Sequence, residues 1–362
     1  MWSSARRLTQ SLYRRATEAS ERQSRARLVI PVEDRPSDRP AIYFLTPDYQ
    51  EPAGGIRVIY RHVDILNDGG IPAFVLHQRR GFRCNWFENQ TQVVDVTEAR
   101  IRQGDLLVVS ELDVDLLYRL PPGTRHVIFN QNSHLTWRRA SSGTTNHYIC
   151  DRDLAAVVTV SQHNQDMLQY AFPGTPVHRI RLGLDAALFH AGPISRGRRI
   201  GYMPRRGRED AAQVFEMLYG RGVLDGWDIV SLSGLSHQGV AEALRTTRIF
   251  LAFTSQEGFG LPAAEAMACG NYVIGQHGYG GQEFFLPEFS AAIAPGDTFG
   301  FAEAVEAAIL QDGHTPGCCA ERGRRASRFI LSEYTADRER RDVTMLYAGL
   351  LSDCSTADIA AQ

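Results

Sequence analysis

The sequence predicts an α/β fold with parallel β-sheets, because a strand–turn–helix–strand pattern occurs in both halves of the chain. In the second half, an apolar run at residues 249–254 leads through a glycine-containing turn to a short helix and a second apolar run. In the first half, an apolar run at 41–47 precedes Gly54 and Gly55, a helix that is apolar on one side, and another apolar run at 72–76. The length of 362 residues fits two domains of ordinary size.

Composition indicates a globular protein and excludes several classes of function. Hydrophobic residues make up 43% of the chain and its net charge is −2, so nucleic acid is not an expected partner. No apolar run approaches the roughly eighteen residues of a membrane-spanning helix. The sequence contains no lysine, which excludes Schiff-base chemistry and leaves arginine or backbone amides to bind phosphate. The six cysteines form no C-x-x-C pair, which favours reduced thiols in a cytosolic chain.

The N-terminal segment, residues 1–40, is predicted to be a basic leader followed by a linker. Its first 28 residues contain seven arginines but only two glutamates. A basic amphipathic helix can lie on an anionic membrane, so residues 1–28 are a candidate peripheral membrane contact; a solvated leader is the alternative. Residues 31–40 contain three prolines and are predicted to be the linker. The expected location is the cytoplasm, with or without attachment to the inner membrane face.

The elements after residue 76 continue the alternation of strands and helices. Polar clusters follow two of the strands, at Ser110 and Glu111 and from Asn130 to His134, where parallel strands direct side chains towards a ligand crevice. The further predicted strands are 106–110, 126–129, 157–161, 199–203, 227–231 and 272–275, and the further predicted helices are 162–170, 210–219, 237–244, 297–309 and 318–350.

The turn between residues 254 and 262 has the features of an anion site beside hydroxyl-binding groups. Gly258 and Gly260 let the backbone approach a ligand, and Pro262 suits the first turn of the helix that follows. The free N–H groups at a helix start attract phosphate. Glu257 and Glu265 flank this site, and ionised carboxylates accept hydrogen bonds from the vicinal hydroxyls of a sugar or ribose. The alternative is that both carboxylates only complement the helix dipole.

The string EGFGLPAAEAMACG, from Glu257 to Gly270, resembles the E-x7-E signature of glycosyltransferase family 4, whose members are retaining enzymes of the GT-B architecture. The resemblance covers roughly residues 41–350. It implies two Rossmann-like, doubly wound parallel-sheet domains that face each other across a cleft, with a nucleotide-sugar held mainly by the second. The implied reaction transfers the sugar to a hydroxyl of a glycan, a lipid-linked acceptor or a small molecule, without a metal or another cofactor.

The resemblance also implies domain boundaries and a set of site residues. The first domain spans 41–192 and the second 193–325, with helix 326–352 crossing back onto the first domain and a tail at 353–362. The implied catalytic residues are Glu257, Arg205 and Arg206. The implied donor-binding residues are Gly54, Gly55, Gly258, Phe259, Gly260, Leu261 and Glu265, and either Asn132 or His134 is expected to touch the donor sugar.

Some features depart from the family pattern or suggest other readings. Tyr202 stands where the family usually has an arginine that binds diphosphate, and Leu182 replaces an asparagine in the hinge, so a catalytically silent binding subunit is one rival. A sugar-nucleotide epimerase of the same fold is another. Asp113 and Asp115 form a D-x-D pattern that can hold Mg²⁺, but an aspartate at a helix start is more often a cap, which is the interpretation favoured here.

Overall fold

The chain folds into two α/β domains, each built on a parallel β-sheet. The structure is a computed structural model that describes residue 25 and residues 27–137, 144–192, 197–205 and 207–360; for residues 144 and 353–360 it describes the backbone alone. Within these residues, no helix has both the length and the apolar character needed to cross a bilayer.

The first domain carries a seven-stranded parallel sheet in the order β4-β3-β2-β6-β7-β8-β9, and β1 pairs separately with β5. The strands are β1 (Val32–Pro36), β2 (Ile42–Leu45), β3 (Ala73–His77), β4 (Val93–Asp95), β5 (Ile101–Gln103), β6 (Leu106–Ser110), β7 (His126–Phe129), β8 (Leu154–Thr159) and β9 (Val177–Arg179). The helices are α1 (Gly54–Asp68), α2 (Ser133–Thr136), α3 (Thr144–Ile149) and α4 (Gln162–Ala171), with a 3₁₀ helix at Val114–Arg119.

The second domain carries a five-stranded parallel sheet in the order β11-β10-β12-β13-β14. Its strands are β10 (Arg199–Tyr202), β11 (Asp228–Ser231), β12 (Ile249–Ala252), β13 (Tyr272–Gly275) and β14 (Ser290–Ala292). Its helices are α5 (Arg208–Gly220), α6 (His237–Thr246), α7 (Leu261–Ala268), α8 (Thr298–His314) and α9 (Cys318–Glu333), and α10 (Ala336–Ala360) follows.

Each sheet reverses its strand order at one point, which creates a crevice at the carboxyl ends of the strands. In the first domain the reversal lies between β2 and β6, and in the second it lies between β10 and β12. The central strands are buried apolar runs, as expected of a parallel sheet that is covered on both faces. The doubly wound fold predicted from the sequence is therefore confirmed, and the two crevices are the places where function is expected.

The single helix predicted at residues 318–350 is instead two helices, α9 and α10. The break falls at Tyr334 and Thr335, where the Leu184 N–H donates to the Tyr334 carbonyl at 2.8 Å. The Thr335 hydroxyl then accepts a hydrogen bond from the Arg338 N–H at 3.2 Å and so caps the start of α10. The crossing helix consequently begins at residue 336, later than the predicted 326, and its backbone continues to residue 360, past the predicted end at 352.

Helix α10 is anchored on the first domain by a buried carboxylate in its first turn. Glu339 is 1% exposed and accepts a hydrogen bond from Arg61 of α1 at 2.7 Å, and His62 lies 3.4 Å from the same oxygen. Burial alone would raise the pKa of Glu339, but the neighbouring charge of Arg61 and the His62 contact hold it below its ordinary value. The ionised pair therefore holds the last helix against the first domain.

The N-terminal segment contains a strand that the sequence did not predict. The predicted linker at 31–40 contains strand β1, which pairs with β5. Residues 1–24 and 26 lie outside the described residues, and so does most of the candidate membrane-binding leader. Arg25 is described, and its guanidinium binds both carboxylate oxygens of Asp113.

Candidate active site

The turn between β12 and α7 is shaped by contact with the first domain. A Cβ on Gly258 would lie 1.6 Å from the Gln131 carbonyl oxygen, so only glycine allows the two backbones to approach this closely. The Asn164 side chain donates to the Gly258 carbonyl at 3.2 Å. Gly260 has a φ of 93° and begins α7 in the left-handed region that glycine tolerates. Both positions therefore require glycine, Gly258 for the close approach of the two domains and Gly260 for its backbone conformation.

The same turn presents several backbone donors to the cleft. Among the described residues, the N–H groups of Gly258, Phe259, Gly260 and Leu261 donate to no protein acceptor. They precede and begin α7, where the positive end of the helix dipole adds to their attraction for anions. The Phe259 ring packs in the core, 5.2 Å from the rings of Phe284 and Tyr334, so only its backbone is available at the turn.

Glu265 lies in α7 and is paired across the domain interface. The residue is 5% exposed, and its Oε1 accepts a hydrogen bond from Arg57 of α1 at 2.6 Å, with His237 Nε2 at 3.6 Å. Burial alone would raise the pKa of Glu265, but the charge of Arg57 and the His237 contact hold it below its ordinary value. The carboxylate is therefore ionised at neutral pH.

Glu257 lies at the start of the turn and is half-buried. Its N–H donates to the Gly278 carbonyl at 2.8 Å, and it forms a parallel bridge with Tyr279, a residue with a φ of 65°. A Cβ on Gly278 would lie 2.8 Å from the Glu257 Cβ, so the loop that follows β13 needs glycine there. One predicted carboxylate thus precedes the backbone donors and the other lies in α7 behind them, and each is held by contacts outside the turn.

The glycine turn of the first domain faces the same place. A Cβ on Gly54 would lie 2.9 Å from Leu261 Cδ1, and a Cβ on Gly55 would lie 3.2 Å from the Gln131 side chain. Gln131 Nε2 also donates to the Gly55 carbonyl at 3.2 Å. Gln131, which directly precedes Asn132, thereby contacts both glycine turns.

Asn132 and His134 have other roles around this junction. Asn132 is 8% exposed and caps α2 by accepting a hydrogen bond from the His134 N–H at 3.2 Å. The His134 ring stacks on His163, and both rings lie 5.3 Å from Tyr279 of the second domain. His134 therefore reaches the loop that bridges to Glu257.

The basic turn after β10 is described in part. Arg205 is exposed and donates through Nη1 to the Pro52 carbonyl of the first domain at 2.7 Å, while Arg206 lies outside the described residues. The Tyr202 ring packs against Phe215 at 5.0 Å, as a side chain of the domain core does. Arg205 thus spans the cleft beside the first glycine turn, and Arg57 is a second arginine close to the turn at Gly258.

A buried acid that the sequence analysis did not select lies at the carboxyl end of β6. Glu111 is 7% exposed and accepts a hydrogen bond from the Gln131 N–H at 3.2 Å. Burial raises its pKa to about 7, against the lowering effect of backbone hydrogen bonds. The signal in the sequence was its place directly after a strand, at the point where the sheet reverses its order.

The D-x-D pattern lies at the start of a 3₁₀ helix, where the side chain of Asp113 binds an arginine. Asp113 stands at the N-cap of the 3₁₀ helix, but its side chain caps no backbone N–H. It binds Arg25 and accepts a hydrogen bond from the Ser110 hydroxyl at 2.6 Å. Asp113 is therefore at the predicted N-cap position, but its carboxylate holds the end of the leader instead of capping a backbone N–H.

One other group of side chains in the described ranges has the spacing of metal ligands: Asp312, Cys318 and Cys319. Asp312 is bound by Arg248 and accepts a hydrogen bond from the Cys319 N–H at 3.1 Å. Burial raises the pKa of both thiols, which disfavours the thiolates that bind metal. The cluster therefore links α8 to α9 through the hydrogen bond between Asp312 and Cys319.

Comparison with known proteins identifies the fold and the class of enzyme. A family model described as "Glycosyl transferases group 1" matches residues 207–311, which include Glu257 and Glu265. An alpha-1,6-glucosyltransferase from Actinobacillus pleuropneumoniae serotype 7 (strain AP76) is 26% identical over 238 residues, which span 62% of this chain and 69% of that protein.

Solved glycosyltransferase structures share the two-domain architecture. Sucrose-phosphate synthase from Thermosynechococcus elongatus matches with a TM-score of 0.66 at 15% identity, over 87% of this chain and 100% of that one. A glycosyltransferase from Rickettsia africae ESF-5 matches with a TM-score of 0.64 at 12% identity, over 87% and 99%. Anabaena HepE in complex with UDP and glucose matches with a TM-score of 0.60 at 14% identity, over 87% and 100%. The fold is GT-B, and the chain is a glycosyltransferase.

Proposed function

We propose that the chain is a retaining, metal-independent enzyme of glycosyltransferase family 4 that moves a hexosyl or deoxyhexosyl group from a UDP-sugar to a hydroxyl acceptor. The observation that carries this proposal is the turn between Glu257 and Glu265. It combines four backbone donors with two flanking carboxylates, and it faces the first domain's glycine turn across the cleft. A UDP donor is favoured because the HepE structure that matches this fold holds UDP and glucose.

The donor diphosphate is assigned to the backbone donors from Gly258 to Leu261 and to Arg205 and Arg206. Amides at a helix start and guanidinium groups both stabilise negative charge, which grows on the diphosphate as it departs. Arg57 reaches across from α1 of the first domain and is a further candidate, because its guanidinium is already held near the turn by Glu265.

The two carboxylates are assigned to the hydroxyl groups of the donor. Both of the Glu265 contacts within the described residues use Oε1, so we assign its Oε2 to the ribose hydroxyls. Glu257 is assigned to the sugar, where it steadies the positive charge that develops on the ring. Gln131 lies at the junction of both glycine turns and is added to the donor-sugar candidates Asn132 and His134.

The reaction requires no protein base in this scheme. The bond between the anomeric carbon and the diphosphate oxygen breaks, and the acceptor oxygen attacks that carbon on the same face. The acceptor proton passes to the departing diphosphate oxygen, so charge and atoms balance without another group. The anomeric configuration is therefore retained.

Titration with UDP and a panel of UDP-sugars tests donor binding, and turnover with and without a chelator tests metal independence. We expect UDP to stabilise the protein, since a ligand at a hundred times its Kd adds about 2.7 kcal/mol. Activity that disappears in chelator and returns with Mg²⁺ or Mn²⁺ would contradict metal independence. Donor binding without any sugar transfer or hydrolysis would favour the silent subunit.

A further inference from the structure

We propose that the acceptor is an anionic glycan, bound through Arg79, Arg80 and Arg83 in the loop after β3. This inference rests on the proposed function and adds the chemical class of its second substrate. The anionic group is a carboxylate or a phosphate, since arginine binds both in the same bidentate way.

The loop after β3 directs its apolar side chains inward and its arginines outward. Phe82 is 7% exposed and Cys84 is 1% exposed, whereas all three arginines are exposed. The guanidinium of Arg79 lies over the Phe82 ring, 4.5 Å from its centroid. The arginines therefore contribute little to the core, and their positive charges face the solvent.

Hydrogen bonds from the surrounding segments fix this loop in place. The Arg79 N–H donates to Asp48 at 2.8 Å, and the same carboxylate binds His77 at 2.9 Å. The Gly81 N–H donates to Asp95 at 3.2 Å, with Gly81 in the left-handed region at a φ of 66°. Cations on a fixed loop lose less conformational entropy when they bind a ligand, as a recognition surface requires.

The loop lies at the edge of the sheet that faces the cleft. The Gln50 side chain donates to the Arg83 carbonyl at 3.4 Å, and the Cys84 thiol donates to the Tyr49 carbonyl at 3.6 Å. The same segment continues to Pro52, whose carbonyl accepts the bond from Arg205 of the second domain. The arginines are thus next to the segment that meets the donor side, where an acceptor has to enter.

The positive charge of the loop is only partly compensated. Arg79 lies 3.5 Å from Asp48, which already binds His77. Within the described residues Arg80 and Arg83 form no ion pair, and Arg83 donates to the neutral Asn89 amide at 2.7 Å. A neutral acceptor would leave these cations without a role, whereas a carboxylate or phosphate would pair with them.

The test measures binding of defined oligosaccharides by calorimetry, without donor. The carboxylate arm uses a galacturonic acid tetrasaccharide and its fully methyl-esterified form; the phosphate arm uses a mannose tetrasaccharide with and without 6-phosphates. The unsubstituted protein is compared with R80A/R83A and with R328A/R341A, a control that removes the same charge from exposed positions on α9 and α10. UDP binding is measured on each protein.

At least one anionic oligosaccharide should bind roughly tenfold or more tightly than its neutral partner. A tenfold difference in affinity corresponds to the lower end of the free energy that one hydrogen bond to a charged group contributes. R80A/R83A should lose this preference, while R328A/R341A keeps it and UDP affinity is unchanged. Equal affinity for both members of each pair, or equal affinity of the two double variants, would overturn the proposal.

A membrane role for the arginines is also separated by this design. If R80A/R83A loses binding to vesicles of anionic phospholipid while its oligosaccharide affinities stay unchanged, the arginines belong to a membrane surface and the proposal is wrong. Arginine-dependent oligosaccharide binding without UDP binding would instead contradict the proposed function and leave the anionic-glycan surface standing.

Discussion

Replacing Arg57 by methionine is expected to weaken the contact between the two domains by about 3 kcal/mol. The Arg57–Glu265 pair joins α1 of the first domain to α7 of the second at 2.6 Å, and the two side chains are 17% and 6% exposed. Removing one partner of a buried pair costs about 3–5 kcal/mol, because the other charge is left buried. The lower end applies because Arg57 is partly exposed and His237 stays 3.6 Å from the carboxylate.

The contribution of the Arg57–Glu265 pair to the free energy of unfolding is measured by urea unfolding of Arg57→Met, Glu265→Gln and the double variant. The double variant should be more stable than Arg57→Met alone, since glutamine leaves no buried charge. Arg221→Met is the control, because its pair with Glu306 lies at the surface, where solvent screens an ion pair and little stability is lost with it. Additive effects of the two substitutions would refute the reasoning.

The pH dependence supplies a second check on the same pair. The Glu265 pKa is held below its ordinary value of 4.5 in the folded protein. Its contribution to stability is therefore present above about pH 4.5 and is lost as the pH falls through the lower, folded-state pKa. The stability difference between the wild type and Arg57→Met should shrink in acid, and a difference independent of pH would contradict the assignment.

Three further predictions concern the turn and its surroundings. Glu111→Gln should stabilise the protein at pH 8 by up to about 3 kcal/mol in urea unfolding. Burial raises the Glu111 pKa from 4.5 to about 7, so ionisation of this residue favours the unfolded state as the pH rises above 4.5. An equal stability difference between variant and wild type at pH 4 and pH 8 would contradict this. Gly258→Ala should abolish transfer by forcing the domains apart, while Gly313→Ala, a helix glycine with open space around it, should leave transfer unchanged. Glu265→Gln should mainly raise the donor KM, whereas Glu257→Gln should lower kcat by roughly 10²–10³-fold, and the same kinetic pattern in both would mean that their roles are wrongly assigned.

Much of the fold was predictable because the central strands are apolar runs with polar ends. β6, β7 and β13 begin and end where the sequence indicates. β1 was missed because, after Val32, its residues are charged or proline and give no apolar run. The break between α9 and α10 was missed because no glycine or proline marks it; the signal that the sequence offered was Thr335, a residue type that caps helices.

The site was predictable to the extent that one turn contains it. The sequence identifies Glu257, Glu265 and the glycines between them from a single local pattern. It does not identify Arg57 or Gln131 as their partners, because these lie in the other domain and local spacing carries no information about that contact. Arg57 lies two residues after Gly55, so its place beside the first glycine turn was the available signal.

The anomeric configuration of the product tests the central claim most directly. The protein is incubated with the UDP-sugar that binds most tightly and with an acceptor that it uses, and proton NMR of the product is recorded before any equilibration. An α-linked donor should give an α-linked product, because the acceptor attacks from the face that the diphosphate leaves. A β-linked product from the same donor would contradict the account.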